Sequence, residues 1–171
     1  RCVAAYCHDR GLTDAAEFTI ETGNGVKRML LTLDGEGRTQ SVRVDMGEPE
    51  LDGLRVPTTV AGKPVVDYPI EVGGREWRCT FVSMGNPHAV TFVDDPRTAP
   101  VTTIGPLLEC DAHFPRKANI EFVHVIDRSH VEMRVWERGT GETLACGTGA
   151  CATMVACVLG GLTERTAELS L

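Results

Sequence analysis

The segment from Gly149 to Leu159 constrains the fold of this 171-residue chain most strongly. It reads GACATMVACVL and ends at Gly160-Gly161, so small and apolar residues cover nearly every face of the helix that it predicts. A helix without a polar stripe is buried on all sides. We therefore expect a core helix surrounded by strands. The run is too short to cross a bilayer, which takes about 20 residues.

Short runs of alternating polar and apolar residues predict the strands that would surround this helix. They are Phe18–Glu21, Lys27–Leu33, Ser41–Asp45, Trp77–Ser83, Ala89–Val93, Asn119–Ile126 and Val131–Trp136. Two further helices are expected, one ending at Gly11 and one near Ile104–Leu108. The pattern predicts an α+β fold of mostly antiparallel strands around a few helices. The linker-like stretch Gly47–Pro57 suggests a boundary between residues 1–46 and 47–171.

Charge and cysteine usage exclude several classes of function. Twenty-four acidic against seventeen basic side chains give a formal net charge of −7, without a Lys/Arg cluster, so no nucleic-acid surface is expected. The seven cysteines have irregular spacing, which is typical of reduced thiols in a cytosolic protein. Cys110 and His113 form a lone C-x-x-H pair, which lacks the second ligand pair of a metal site.

The C-terminal part of the core helix repeats a segment at the start of the chain. "CVAAYCHDRGLTD" (Cys2–Asp14) is similar to "ATMVACVLGGLTE" (Ala152–Glu164) at a constant offset of 150. The strand-like segments that follow, "AEFTI" and "AELSL", also correspond. Chance similarity is the alternative, but the match crosses a helix, its turn and a strand, which favours a duplication. The offset places a counterpart of Cys146 at position 146 − 150 = −4, before Arg1.

Cys146 stands at the predicted start of the core helix, followed by Gly147-Thr148-Gly149. Unpaired N–H groups and the helix dipole stabilise a thiolate there, which predicts a lowered pKa, and they can also hold a carboxylate. Two such helix starts could place thiols on opposite faces of one α-carbon, a geometry suited to racemisation. The alternative is a small buried residue in a tight turn.

Polar residues elsewhere are compatible with recognition of an amino acid. Glu137 and Arg138 end a predicted strand before the glycine-rich stretch that leads to Cys146, and could hold an ammonium and a carboxylate. A surface ion pair is the alternative for them. Asn86 and His88 flank a proline between two strands, and Asn119 begins another strand. Each of these three could instead be a turn or packing residue.

Three stretches, "MGNPHAV", "NIEFV" and above all "WERGTGETLACGTGA", resemble the diaminopimelate epimerase family. The resemblance implies two pseudo-symmetric α/β halves, each a curled mixed sheet around a central helix, with the active site between them. Residues 1–46 would end the N-terminal half and residues 47–171 would form most of the C-terminal half. In the family the first catalytic cysteine lies in C-G-N-G-x-R-C, of which Arg1-Cys2 are present. We therefore expect a chain truncated at both ends.

The resemblance also implies the function and the roles of individual residues. The family interconverts LL- and meso-diaminopimelate in lysine biosynthesis, and Cys146 would be one of two acid/base thiols whose ionisation His88 and Glu137 tune. Six residues would bind substrate: Asn86, Asn119, Glu137, Arg138, Gly147 and Thr148. Asn86, Asn119 and Arg138 would hold its distal end. Glu137, with the backbone of Arg138, would hold the reacting ammonium. The N–H groups of Gly147 and Thr148 would hold the α-carboxylate.

The same resemblance implies no cofactor, no metal, a cytoplasmic homodimer and a small-molecule substrate. The three lysines, Lys27, Lys63 and Lys117, lie in no motif for a pyridoxal Schiff base. The Gly-Asn-Gly at Gly23–Gly25 lacks a preceding cysteine and predicts a type I′ hairpin turn instead.

Alternatives to this function are a proline or hydroxyproline racemase of the same architecture, a thiol redox protein in which Cys151 resolves Cys146, and a non-catalytic fragment. Because one thiol cannot serve both faces of a carbon, the 171 residues alone are expected to be inactive.

Overall fold

The computed structural model describes residues 1–171 and divides them into two compact units, Arg1–Gly47 and Glu48–Leu171. None of the helices is long and apolar enough to span a membrane. The division falls within the linker-like stretch that begins at Gly47. The assignment of these units to two halves of a larger enzyme stays a prediction.

The first unit is one helix and a three-stranded antiparallel sheet. Its elements are α1 (Cys2–Asp9), β1 (Glu17–Thr22), β2 (Gly25–Leu33) and β3 (Thr39–Val44), with strand order β1-β2-β3. Met29 and Leu31 alternate with exposed residues along β2 and are buried together with Ala4 of α1. The alternation places one face of the sheet against the helix.

The second unit is built on a seven-stranded mixed sheet. Its elements are β4 (Tyr68–Val72), β5 (Arg75–Ser83), β6 (Pro87–Phe92), α2 (Val101–Glu109), β7 (Asn119–Asp127), β8 (His130–Glu137), β9 (Gly141–Thr143), α3 (Gly147–Leu159) and β10 (Glu168–Ser170). The strand order is β10-β8-β7-β6-β5-β4, and β9 pairs with β8. The α+β class is therefore confirmed.

The two helices of this unit cover opposite faces of the sheet. Ile120 and Glu121 are successive residues of β7 and point to opposite sides. Ile120 pairs with Trp136, against which Gly105 of α2 packs so closely that a Cβ there would lie 2.6 Å from the indole. On the other side, a Cβ on Gly149 of α3 would lie 2.7 Å from Glu121 Oε1. The contact with Trp136 requires glycine at position 105, and a larger residue at position 149 would displace the Glu121 carboxylate.

The core helix α3 is buried along one face only. The composition had predicted burial on every side, and that prediction was wrong. The buried residues follow the i, i+3, i+4, i+7 spacing of one helix face: Gly149, Ala152, Thr153, Ala156 and Cys157. They pack on β5, β6 and β7. The opposite face, which includes Met154, Val155 and Val158, is half-buried within these 171 residues.

The sequence echo extends to the backbone at the ends of α1 and α3. Gly11 donates to His8 O and Leu12 to Cys7 O, while Gly161 donates to Val158 O and Leu162 to Cys157 O. Gly11 and Gly161 both have φ of 68°. Helix, left-handed glycine and hydrogen bonds therefore recur at the same offset of 150 residues, which supports a duplication.

Two strands differ from the sequence-based expectation. β4 was missed because Pro69 lies within it, and proline is tolerated there because β4 is an edge strand. The three-residue β9 was also missed. The pairs β6–β7 and β8–β10 are parallel and the other pairs of this sheet are antiparallel, so the sheet is mixed, as the family resemblance implied. For β6–β7 the reason is that α2 supplies the crossover that a parallel pair requires.

The geometry of two hairpin turns can be compared with the type I′ turn predicted at Gly23–Gly25. The hairpin at Gly23-Asn24 forms, but its positive φ falls on Gly25, so the turn is not type I′. Gly73 and Gly74 both have positive φ between the paired residues Val72 and Arg75, so the type I′ geometry occurs there.

Candidate functional site

Cys146 caps the N-terminus of α3 with its own side chain. Its backbone is extended (φ −133°, ψ 108°), and its sulfur accepts a hydrogen bond from Gly149 N at 3.4 Å. The N–H groups of Gly147 and Thr148 lie in the first turn and have no partner within the helix. The site therefore presents a thiol beside two unpaired backbone donors, as the sequence predicted.

The ionisation of Cys146 differs from the expectation. Desolvation by burial raises the pKa of the thiol above its ordinary value of 9.0, and the nearby carboxylates of Glu121 and Glu137 add to the rise. Hydrogen bonds from Thr148 and Gly149 lower the pKa but do not reverse the shift. The prediction of a lowered pKa was wrong, because it counted the helix terminus and not the burial. Cys146 consequently rests as a protonated thiol at neutral pH.

A chain of hydrogen bonds connects Cys146 to three other predicted site residues. Thr148 Oγ1 lies 3.5 Å from Cys146 Sγ and accepts from Asn86 Nδ2 at 3.3 Å. Asn86 Oδ1 lies 3.1 Å from His88 Nε2. With Asn86 oriented in this way, His88 Nε2 carries a hydrogen and donates it to the amide oxygen. The Thr148 hydroxyl hydrogen is then available to the sulfur, so every donor in the chain points towards Cys146.

Glu121 forms the far end of this chain, and it was missed by the sequence analysis. Its Oε1 lies 2.6 Å from His88 Nδ1, and both side chains are completely buried. Its Oε2 has no hydrogen-bond partner. The available signal was a charged residue on the same face of β7 as Asn119, within an otherwise apolar strand that faces the core helix.

Asn119 and Arg138 form a second cluster, joined to the first through Pro87. Asn119 is buried, its Oδ1 accepts from Arg138 N at 2.8 Å, and its Nδ2 donates to Pro87 O at 3.1 Å. Pro87 lies between Asn86 and His88. One amide hydrogen and one lone pair of Asn119 remain for a ligand.

Glu137 ends β8 and has an anchor of its own. Its Oε1 accepts a hydrogen bond from Thr143 Oγ1 on β9. Thr143 was also missed by the sequence analysis, because β9 was not predicted. The pairing of β9 with β8 therefore holds the carboxylate at the turn that leads to Cys146.

A cavity of about 330 Å³ opens beside this cluster. The residues that line it include Arg55, Arg116 and Arg138, together with Ser83 and Gly85. Arg55 is paired with Glu50, and the basic character of this lining suits an anionic ligand group. No group of three His, Cys, Asp or Glu side chains is placed to hold a metal ion.

Comparison with known proteins identifies the family. The family model described as "Diaminopimelate epimerase" matches residues 80–171, which include every predicted site residue. The chain belongs to the diaminopimelate epimerase family. The family resemblance drawn from "WERGTGETLACGTGA" is thereby confirmed.

Curated diaminopimelate epimerases are similar over the whole chain. The protein of Moorella thermoacetica is 51% identical over 171 residues, and that of Leptospira biflexa is 49% identical over 172. Both alignments cover 100% of this chain and 61% of the relative. The chain thus spans about three fifths of the length of these relatives.

Solved structures show the same architecture at lower identity. A hydroxyproline epimerase from Agrobacterium vitis, solved with trans-4-hydroxy-L-proline, has a TM-score of 0.69 at 16% identity. The match covers 95% of this chain and 50% of the hydroxyproline epimerase. A phenazine biosynthesis protein of the PhzF family from Bacillus anthracis has a TM-score of 0.56 at 20% identity, covering 96% of this chain and 56% of its own. These matches support the architecture alone.

The hydrogen bond from Thr148 gives a testable pH dependence. Thr148→Val removes the hydroxyl that lowers the pKa of Cys146, so the pKa should rise further and the thiolate fraction at pH 8 should fall. We expect alkylation of Cys146 by iodoacetamide to slow about three- to tenfold, because the thiolate is the form that reacts. Thr148→Ser keeps the hydroxyl and serves as the control. Peptide mass spectrometry from pH 7 to 10 measures the rate at Cys146, and equal rates for the two variants would contradict the assignment.

Proposed function

We propose that this protein is part of a cofactor-independent epimerase that interconverts LL- and meso-diaminopimelate, with Cys146 as one of its two acid/base thiols. The observation that carries the proposal is the placement of Cys146 at a helix N-terminus, linked by Thr148 and Asn86 to His88. Family membership supports the reaction, and the arginine-lined cavity supports a substrate with a second anionic group.

The proposed roles are those that the family resemblance implies, and the positions of the chain's own residues are compatible with them. The α-carboxylate is held by the N–H groups of Gly147 and Thr148, which point out of the helix start. The reacting ammonium is held by the Glu137 carboxylate, with the backbone carbonyl of Arg138. At the far end of the substrate, Arg138 binds the carboxylate, and the free amide groups of Asn86 and Asn119 assist.

Cys146 acts as an acid in one direction of the reaction and as a base in the other. In one direction of the reaction, the opposing thiolate removes the α-proton and Cys146 delivers its own proton to the other face. In the reverse direction Cys146 is the base. An α-proton of an amino acid is weakly acidic, so the helix dipole and the two N–H groups must stabilise the carbanion. The sequence echo places the opposing thiol at position −4, and we propose that the full-length protein has a cysteine there.

We further propose that the full-length protein is a homodimer in the cytoplasm, as the family resemblance implies. The acidic composition and the lack of a basic cluster are consistent with a small-molecule enzyme that binds no nucleic acid.

Stereoisomer analysis tests the proposed substrate. The full-length protein is incubated with LL-diaminopimelate and, separately, with trans-4-hydroxy-L-proline, and the products are separated by chiral chromatography. We expect meso-diaminopimelate from the first and no inversion of the second, because the cavity and the Glu137–Arg138 turn suit an acyclic dicarboxylate. Inversion of hydroxyproline alone would establish the racemase alternative and overturn the proposal.

A further inference from the structure

Glu109 is a buried carboxylate with no role in the chemistry described above. It is the last residue of α2 and is 5% exposed. Three donors reach it: Trp136 Nε1 contacts Oε2 at 2.7 Å, while Gly139 N and Lys117 Nζ contact Oε1 at 3.0 and 3.1 Å. Burial raises the pKa of Glu109, but these hydrogen bonds together outweigh it and leave the pKa below its ordinary value, so the group is ionised.

The three donors lie on the two chain segments that hold Arg138. Trp136 lies in β8 and Gly139 in the turn that follows it, on either side of Arg138 along the chain. Lys117 follows Arg116, whose carbonyl oxygen accepts a hydrogen bond from Arg138 Nη1 at 2.9 Å. Lys117 has a φ of 58°, a left-handed conformation that needs support from its surroundings. One carboxylate therefore connects the backbone that carries Arg138 to the backbone that receives its guanidinium.

The neighbouring Glu137 has a separate anchor for its carboxylate. Its carboxylate is held by Thr143 on β9. Loss of the Glu109 contacts should therefore disturb the guanidinium of Arg138 more than the carboxylate of Glu137. The two ends of the substrate can be tested separately for that reason.

We propose that Glu109 is a positioning residue that fixes the Arg138 guanidinium for the far carboxylate of the substrate and so sets the preference for a dicarboxylate. This inference rests on the proposed function. Glu109 acts only through Arg138 and its two supporting segments. Its effect should appear in the binding of substrates that have the second carboxylate and should be small for substrates that lack it.

Glu109→Gln in the full-length enzyme tests the inference. Glutamine keeps the shape but must turn its NH₂ group towards at least one of the three N–H donors. The probes are LL-diaminopimelate and its mono-carboxamide, in which one carboxylate is neutral. We expect KM for LL-diaminopimelate to rise about fivefold or more, the range of coupling between contacting groups, with KM for the mono-carboxamide changed less than about twofold. The kcat for LL-diaminopimelate should stay within about threefold.

Two further variants keep the test decisive. Trp136→Phe retains the packing against Gly105 and removes one donor to Glu109, so it should raise KM selectively for the dicarboxylate even if Glu109→Gln folds poorly. Asp127→Asn is the control. It replaces a different carboxylate, one that stabilises the turn at the opposite end of β7 and β8, and it should leave both KM values unchanged. Equal KM changes for the two probes, or none, would overturn the positioning role. Absence of turnover of LL-diaminopimelate by the wild type would instead overturn the proposed function.

Discussion

Cys146→Ala in the full-length protein is expected to lower kcat for the epimerisation of LL-diaminopimelate by about 10² to 10⁴-fold, the usual contribution of a positioned acid/base group. The methyl group cannot deliver or accept a proton, and the neighbouring Thr148 hydroxyl is too weak an acid to replace the thiol. Chiral chromatography of the product over time measures the rate. Binding of substrate should change much less than turnover.

A matched variant separates loss of the thiol from damage to the helix. Cys151→Ala removes another sulfur five residues further along α3, at a half-buried position outside the proposed site. It should retain epimerase activity within about threefold, because exchanges of this kind outside the site have small effects. If Cys146→Ala and Cys151→Ala showed the same modest loss, Cys146 would not be an acid/base residue.

His88→Leu is expected to produce the largest loss of stability. The substitution leaves the Glu121 carboxylate completely buried, without its partner at 2.6 Å and with Oε2 already unpaired. Leaving a buried polar group without its hydrogen-bond partner costs about 1–3 kcal/mol of unfolding free energy, and more for a charged group. Urea denaturation followed by the fluorescence of Trp77 and Trp136 measures the change.

The double variant His88→Leu/Glu121→Leu provides the control for this prediction. Replacing both members of a buried pair by apolar residues is often close to neutral. The double variant should therefore recover most of the stability lost by His88→Leu. A double variant as unstable as the single one would show that Glu121 is not paired with His88 as described.

Local signals in the sequence predicted the parts of the fold that depend on neighbouring residues. The start of α3 at Cys146, its end at Gly160-Gly161 and the hairpin of β1 and β2 follow from capping, glycine and alternation. The family motif supplied the candidate site residues, and the structure connects Asn86, His88, Thr148 and Cys146 through hydrogen bonds.

Features that depend on distant residues could not be predicted in this way. The pKa of Cys146 follows from burial under strands that are remote in sequence, so the local argument gave the wrong direction. The charged residues Glu109 and Glu121 gain their partners only when α2 and β6 pack beside β7 and β8. Half-burial of α3 likewise depends on what covers its second apolar face, which composition does not reveal.

The central claim is that two thiols act on opposite faces of one α-carbon, and isotope incorporation in D₂O tests it most directly. The full-length protein is incubated with LL-diaminopimelate in D₂O, and the reaction is stopped before about a tenth of the equilibrium conversion is reached. Mass spectrometry then measures the α-deuterium content of the substrate and of the product separately. Two thiols predict deuterium in meso-diaminopimelate and almost none in the recovered LL isomer, since the removed proton stays on one sulfur while the other delivers deuterium. Equal deuterium content in both pools, or a product that keeps its original hydrogen, would show a single base and contradict the account.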